Sequence, residues 1–384
     1  MNMPFRVPFV NYPLQYSNLK AEIDGKIQGL LSKGDLYLRD DVINFEKDFA
    51  KFIGSKHCVS TNSCTDALFL SLYAEGIGPG DEVITVGHTY IATIASIVLN
   101  GAKPILIDVG NDYNMDVEML EDAVTPKTKA IMPVHLNGRC CDMGKIMKVA
   151  KKFELAVVED AAQAVGAMFN GSKAGSFGLT GGFSFYPAKV LGCYGDGGAV
   201  TTNHSTLAER LYLLRDNGEK AKYLTKSSEE AKEKKIYIFG FNSVLDNIQA
   251  GVLNVKMKYL SPWLERRRDI ARMYNEGLSD LSQVAPPPAP NMSPYYDVYQ
   301  NYVIRVKASD RERLVKYLEN NSVEILVSWR TPNHLQSALK LEHFNLPNTE
   351  KISREVLSLP LYPELTDEQV NYVIRVVHNF YKSA

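Results

Sequence analysis

Lys189 stands in the run Ser184-Phe-Tyr-Pro-Ala-Lys-Val-Leu-Gly-Cys-Tyr-Gly-Asp-Gly-Gly198, preceded by a proline and two aromatics and followed within nine residues by four glycines. Such flanks hold an amine in a shaped, partly apolar turn. Desolvation lowers a lysine's pKa, so part of it becomes the free amine that attacks a carbonyl. Upstream, the run Val157-Val-Glu-Asp-Ala-Ala-Gln-Ala-Val165 carries Asp160 just after an apolar, strand-like stretch. Carboxyl ends of strands are where α/β folds present groups to ligands. A carbonyl-trapping lysine together with a buried acid suits pyridoxal phosphate. The lysine forms the Schiff base and the acid keeps the pyridine nitrogen protonated.

Further runs extend over nearly the whole chain: Thr61-Asn-Ser-Cys-Thr-Asp-Ala-Leu68, Gly78-Pro-Gly-Asp-Glu-Val-Ile84, Thr89-Tyr-Ile-Ala-Thr93, Pro133-Val-His-Leu-Asn-Gly138, Gly240-Phe-Asn-Ser-Val-Leu-Asp246 and Leu357-Ser-Leu-Pro-Leu-Tyr-Pro-Glu-Leu365. In this order they resemble the sugar aminotransferases of the DegT/DnrJ/EryC1/StrS type, a branch of the fold-type I pyridoxal-phosphate enzymes. The resemblance implies a large domain with a mostly parallel sheet between helices, plus a smaller C-terminal α+β domain.

The cofactor needs its phosphate held, its ring clamped, its nitrogen protonated and its aldehyde trapped. Ser63, Cys64 and Thr65 precede a helix, where backbone N–H groups and the Thr65 hydroxyl can cradle a phosphate at the positive helix end; simple N-capping is the alternative. By resemblance Thr65 is the phosphate-binding threonine, and Cys64 stands where relatives often have glycine. Ser184 matches another phosphate-binding hydroxyl, Tyr90 the aromatic that stacks on the pyridine ring, and Gln163 the glutamine that approaches the phenolic oxygen. Asn242 matches a residue that reaches the phosphate of the neighbouring subunit, which implies a homodimer with composite sites. Two departures stand out. Val244 replaces an arginine and Val165 a histidine common in relatives, so the contacts those residues make are missing. His135 reads as a residue behind the site. Trp329-Arg330 offers an aromatic and a cation for a base or a diphosphate, with core packing and a surface ion pair as equal alternatives.

Strands alternating with helices must position these groups. Helices are expected over 41–52, 65–73 and 89–99, and strands over 57–60, 82–86, 104–108, 129–134, 156–159, 182–185 and 199–202. That alternation implies a mostly parallel sheet covered on both faces. Beyond about residue 205 the pattern changes. Amphipathic helices are expected over 245–259 and 262–281, then a proline-rich separator at 286–294, strands over 299–306 and 323–328, and helices over 311–320 and 367–381. The division expected is 1–245 for an N-terminal arm with the cofactor domain and 246–384 for the smaller domain.

At 384 residues the chain can bury a large core. A formal charge of −1 gives no electrostatic case for nucleic acid or an acidic membrane. The mixed Lys/Glu run 226–235 reads as a solvated face. No stretch approaches the roughly 18 apolar residues that span a bilayer, and the first 16 residues lack a signal-peptide pattern; a cytoplasmic protein is expected. Cys58, Cys64, Cys140, Cys141 and Cys193 are odd in number and lack CxxC spacing, so free structural thiols are expected and no metal site.

The activity implied is a nucleotide-sugar aminotransferase. It takes an amino group from L-glutamate and gives it to a keto-sugar linked to dTDP or UDP, with Lys189 as the proton carrier. The Asn242–Asp246 run, Trp263 and the arginine-rich helix look most like relatives acting on 3-keto sugars, which favours C3 over C4. A sugar dehydratase of this fold carries histidine in place of the lysine. A non-catalytic sensor would show decay of the cofactor motifs, and here they stand intact.

Overall fold

The computed structural model describes residues 5–219, 235–290 and 294–382. The Lys/Glu run up to residue 234 and the end of the proline-rich separator, 291–293, lie outside the described residues. Helices α1 (Tyr12–Lys33) and α2 (Asp40–Ile53) lead into β1 (His57–Thr61), α3 (Cys64–Glu75), β2 (Glu82–Val86), α4 (Ile91–Leu99) and β3 (Lys103–Ile107). Next come β4 (Thr128–Ile131), α5 (Met143–Phe153), β5 (Ala156–Asp160), the short β6 (Met168–Phe169) and β7 (Ser172–Lys173), then β8 (Thr180–Ser184), β9 (Gly198–Thr202) and α6 (Ser205–Arg215). Helices α7 (Asn247–Met257) and α8 (Leu260–Gly277) precede β10 (Tyr295–Tyr296), β11 (Tyr302–Arg305), α9 (Ala308–Asn320), α10 (Pro347–Glu355), β12 (Val356–Leu359) and α11 (Asp367–Lys382).

The main sheet has seven strands in the order β1-β9-β8-β5-β4-β2-β3. Only β9 runs against the others: it pairs antiparallel with β1 and β8, while β8, β5, β4, β2 and β3 pair in parallel. Covered on both faces, β2 and β8 are buried at every position, as parallel sheets require. The carboxyl ends of β1, β5 and β8 open on the same edge, and reversed β9 begins there, with Gly198 opposite both Thr61 and Ser184. The chain's chemistry-bearing runs therefore meet at one rim.

Phe45 and Phe49 of α2 pack edge-on to Phe183 and Phe185 with ring centroids 5.0–5.1 Å apart, fixing the helix beneath the strand that leads to Lys189. A second apolar cluster joins α8, β11, α9, β12 and α11, and Val7 of the N-terminal arm is buried within it. The arm thus crosses to the C-terminal lobe, where Val7 bridges to Val323.

Three expectations need correction. The strand expected over 299–306 spans Tyr302–Arg305, because Tyr299 stands in left-handed backbone at φ 51°. Residues 323–328 form no continuous strand: they make one bridge to Val7 and another, at Leu326, to Ser358. Their partners lie on different elements, so no ladder propagates, and Trp329 ends the segment in left-handed backbone, φ 48°. Helix α4 begins at Ile91 rather than at residue 89, because the Thr89 hydroxyl is bound to the Thr93 hydroxyl at 2.7 Å and Tyr90 is extended, at the N-cap position.

Candidate active site

A cavity of about 490 Å³ opens at the rim, lined by Ser63, Cys64, Thr65, Tyr90, Asp160, Gln163, Ser184 and Lys189 from the large lobe and by Arg267, Gln300, Asn301 and Leu361 from the C-terminal part. Eight of the nine candidate residues are thus brought together. Asn242 is the exception: it is exposed and bridges to Asp216, away from the cavity of its own chain.

Ser63 caps α3 in extended backbone. Its Oγ accepts the Asp66 N–H at 3.1 Å and its carbonyl the Ala67 N–H at 3.0 Å. The N–H groups of Cys64 and Thr65 remain at the positive helix end, available to an anion. The Asp66 carboxylate accepts the Ser243 hydroxyl at 2.6 Å, tying the Gly240–Asp246 run to the same turn. Gly198 makes this turn possible. A Cβ there would lie 2.3 Å from the Ser63 carbonyl carbon and 2.6 Å from the Cys64 nitrogen. Gly198→Ala is therefore expected to cost about 1–3 kcal/mol and to weaken phosphate binding; thermal melts and a pyridoxal-phosphate titration check both.

Asp160 ends β5, buried, with one carboxylate oxygen accepting the Thr93 hydroxyl at 2.7 Å and the other the Ala162 N–H at 3.1 Å. Burial pushes its pKa up, against the lowering effect of those two hydrogen bonds and of the nearby Lys189 amine. Behind it, buried His135 accepts the Cys141 N–H at Nδ1 (3.0 Å), which leaves Nε2 to donate to Glu159 at 2.9 Å. Glu159 also takes the N–H groups of Gly175, Phe177 and Gly178. His135 does not line the cavity; it braces the strand that presents Asp160.

Lys189 follows a turn closed by its own N–H on the Tyr186 carbonyl at 2.9 Å. Burial lowers the pKa of its amine, with Cys64 and Asp160 acting in the opposite sense. Burial also raises the Cys64 thiol well above its ordinary range, so it lines the wall as a neutral group. All five cysteines are buried and free. The loop beyond is anchored by Lys256 of α7, whose Nζ donates to the Gly192 carbonyl at 2.6 Å and to Gln15 at 2.9 Å.

Burial pushes Lys256 down to about 8 from an unfolded value of 10.5. Between those limits the unfolded chain holds the proton and the folded one does not, so stability rises with pH across the window. Relative to Lys256→Met, the protein is expected to gain about 3 kcal/mol from pH 8 to 10.5, measurable by urea unfolding at each pH.

Gln163 has its Oε1 occupied by the Asn137 N–H at 2.8 Å, which leaves its amide N–H₂ as a donor into the cavity. Tyr90 is 63% exposed at the mouth, outside any helix interior. Ser184 lies at the end of β8 with its Oγ accepting the Tyr186 N–H at 3.3 Å. Neither Trp329 nor Arg330 lines the cavity: Trp329 packs edge-on to His88 with centroids 5.2 Å apart, and Arg330 pairs with Glu312 on the surface. Val165 and Val244 are buried in the main apolar cluster, where a charged or polar replacement would lose its solvation.

Sequence reading missed Thr93 as the support of Asp160, noted Arg267 only as part of an arginine-rich helix, and missed Gln300 and Asn301 altogether. Thr93 lay inside a quoted run, four residues after a second threonine. The polar pair Gln300-Asn301, set between tyrosines at the entry to an apolar strand, was the signal for the C-terminal contribution.

The residues fit pyridoxal 5'-phosphate. A helix end with two free N–H groups and a hydroxyl suits the phosphate, a buried carboxylate the ring nitrogen, an amide donor the phenolic oxygen, and an amine of lowered pKa the aldehyde. Among the described residues no cluster of His, Cys, Asp and Glu could hold a metal ion, and no helix is long and apolar enough to cross a membrane.

Comparison with known proteins agrees with this geometry. The sequence profile of the DegT/DnrJ/EryC1/StrS aminotransferase family matches residues 17–378. A dTDP-3-amino-3,4,6-trideoxy-alpha-D-glucose transaminase from Streptomyces venezuelae is 39% identical over 380 residues, covering 98% of this chain and 96% of that protein. A pleiotropic regulatory protein from Geobacillus stearothermophilus is 39% identical over 384 residues, covering 98% and 99%. The crystal structure of S. venezuelae DesV in complex with a ketimine intermediate superposes with a TM-score of 0.91 at 37% identity, over 98% of each chain.

Proposed function

The chain belongs to the DegT/DnrJ/EryC1/StrS aminotransferase family, and from that membership we propose that it moves an amino group from L-glutamate to C3 of a keto-sugar linked to dTDP or UDP, in the making of amino sugars. The observation that carries the proposal is the meeting of a desolvated amine, Lys189, with a buried carboxyl, Asp160, in a cavity that also offers an anion-binding helix end. The relative named as a 3-amino-sugar transaminase supports C3 over C4.

Bound pyridoxal phosphate supplies an electron sink at the carbon that carries the amino nitrogen. The protein's own groups do the rest. The Cys64 and Thr65 N–H groups, with the Thr65 and Ser184 hydroxyls, bind the phosphate. Asp160, held by Thr93, keeps a proton on the ring nitrogen. Tyr90 would cover one face of the ring, and the free amide N–H₂ of Gln163 would donate to the phenolic oxygen. Lys189 would hold the cofactor's aldehyde carbon, and as a free amine it would be the base and acid that carries a proton during the transfer. Burial lowers its pKa, which favours the neutral amine relative to an exposed lysine. Asn242, exposed and outside its own cavity, is the residue that completes the site of a second copy in a homodimer.

The similarity to a pleiotropic regulatory protein raises the alternative of a ligand sensor. The presence of Lys189, Asp160, Gln163 and the α3 cap in one cavity supports catalysis instead. An absorbance spectrum of the cofactor-loaded protein before and after L-glutamate tests this: the visible band is expected to be lost as the amine form accumulates. The aminated protein then discriminates dTDP- and UDP-linked 3-keto and 4-keto sugars by the return of the band. A band that glutamate leaves unchanged would overturn the donor assignment, and return of the band only with 4-keto sugars would move the reaction to C4.

A further inference from the structure

The Nζ of Lys189 meets no hydrogen-bond partner among the described residues. Its aim therefore depends on where the backbone holds its Cα and on the packing of its stem. Two peptide groups flank that Cα, and one side chain binds both. Gln300 accepts the Val190 N–H at Oε1 at 2.9 Å and donates from Nε2 to the Ala188 carbonyl at 2.9 Å. A primary amide offers one acceptor and one donor side by side, and these partners fix which end is which.

Gln300 is itself held. It is 8% exposed and directly follows Tyr299, whose backbone is left-handed at φ 51°. Arg267 of α8, also buried, donates from Nη1 to the Tyr299 carbonyl at 2.9 Å, to the Leu361 carbonyl at 3.1 Å and, more distantly, to that of Gln300. The next residue, Asn301, donates to the Asn137 side chain at 3.3 Å, and the Asn137 N–H holds Gln163. The segment 299–301 thus touches both the Lys189 turn and the support of Gln163.

We infer that Gln300 is a positioning residue for Lys189: its amide clamps the two peptide groups on either side of the lysine, so that the C-terminal lobe aims the amine. The catalytic part of this inference rests on the reading of Lys189 as the residue that holds pyridoxal phosphate; the clamp itself does not. Loss of the clamp frees the turn without touching the cavity's anion-binding end. Misplacing a reacting group by about 1 Å can cost on the order of 100-fold.

The test compares the full-length protein with Gln300→Leu, which removes both hydrogen bonds at similar volume, and Gln300→Glu, which keeps an acceptor for Val190 but sets a carboxylate against the Ala188 carbonyl. In Gln300→Leu, kcat is expected to fall by about 10- to 100-fold with the KM for L-glutamate nearly unchanged. Hydrogen exchange at the Val190 amide is expected to accelerate by at least about 10-fold, and the visible band of the loaded protein to titrate at a shifted pH. In Gln300→Glu the added negative charge moves that titration to higher pH than in Gln300→Leu. A folded Gln300→Leu with parental kcat, band titration and Val190 exchange would overturn the inference, and so would an unprotected Val190 amide in the parent. If Gln300→Leu does not fold, Gln300→Glu carries the kcat and band-titration readouts, with the Val190 amide expected to stay protected because its acceptor is kept; parental values of both in a folded Gln300→Glu would then overturn the inference. A parent protein that forms no visible band with pyridoxal phosphate instead overturns the reading of Lys189, while the exchange measurement still judges the clamp.

Discussion

Lys189→Ala is expected to leave a folded protein that shows no visible band with pyridoxal phosphate and transaminates at least about 10³-fold more slowly. Two functions are lost with one amine. On the proposed reading the aldehyde would have no covalent partner and the transferred proton no carrier. The fold should tolerate the change. The Lys189 Nζ makes no protein hydrogen bond among the described residues, and its charged form is opposed by burial, so truncation removes a desolvated charge along with the packing of the stem. Melting of the apo proteins checks that half of the expectation. Lys189→Arg separates the neutral amine from the cation. It keeps the charge and much of the stem, but a guanidinium stays protonated, so it should be as inactive as alanine. Activity in Lys189→Arg comparable to the parent would mean that the positive charge, not the free amine, is what the site uses.

Much of this site was legible in the sequence because its parts sit on local features. Asp160 follows an apolar strand, Thr65 begins a helix after a polar cluster, and Lys189 lies in a glycine-rich turn. In a parallel sheet each such feature arrives at the same edge without further information. What escaped was whatever depends on distant partners. Gln300 reaches the Lys189 turn from the C-terminal part, and the spacing between them in sequence carries no trace of the contact. Trp329 looked suited to a ligand and instead packs on His88. Helix α1 was overlooked for a different reason. Tyr16, Leu19, Ile23, Ile27 and Leu30 recur at helical spacing and face inward, and Asn11, Pro13 and Gly34 mark its ends in the ordinary way, so both signals stood in the sequence and went unread. Its stability comes from packing on α7, a contact that periodicity does not report.

Asp160→Asn is expected to bind the cofactor yet lower kcat by on the order of 10²- to 10³-fold. An amide of nearly the same shape can still accept one hydrogen bond from Thr93 or Ala162, but it carries no charge to hold a proton on the ring nitrogen. Two further signs separate this account from simple damage. First, Asp160 raises the Lys189 pKa, so in the variant the amine should titrate at lower pH, read by the pH dependence of its acylation in the apo protein. Second, burial raises the pKa of Asp160 above its unfolded value of 3.8. From that value up to the folded pKa the native state binds more protons than the unfolded one, so the carboxyl takes stability away as pH rises through the window, and its full cost is present above it. The stability difference between Asp160→Asn and the parent should therefore move in the variant's favour from pH 4 upwards, measured by denaturant unfolding without cofactor. A variant that gains relative stability while losing turnover is what a carboxylate kept for chemistry predicts. A variant that loses both in parallel at every pH would make Asp160 a structural acid and remove it from the mechanism.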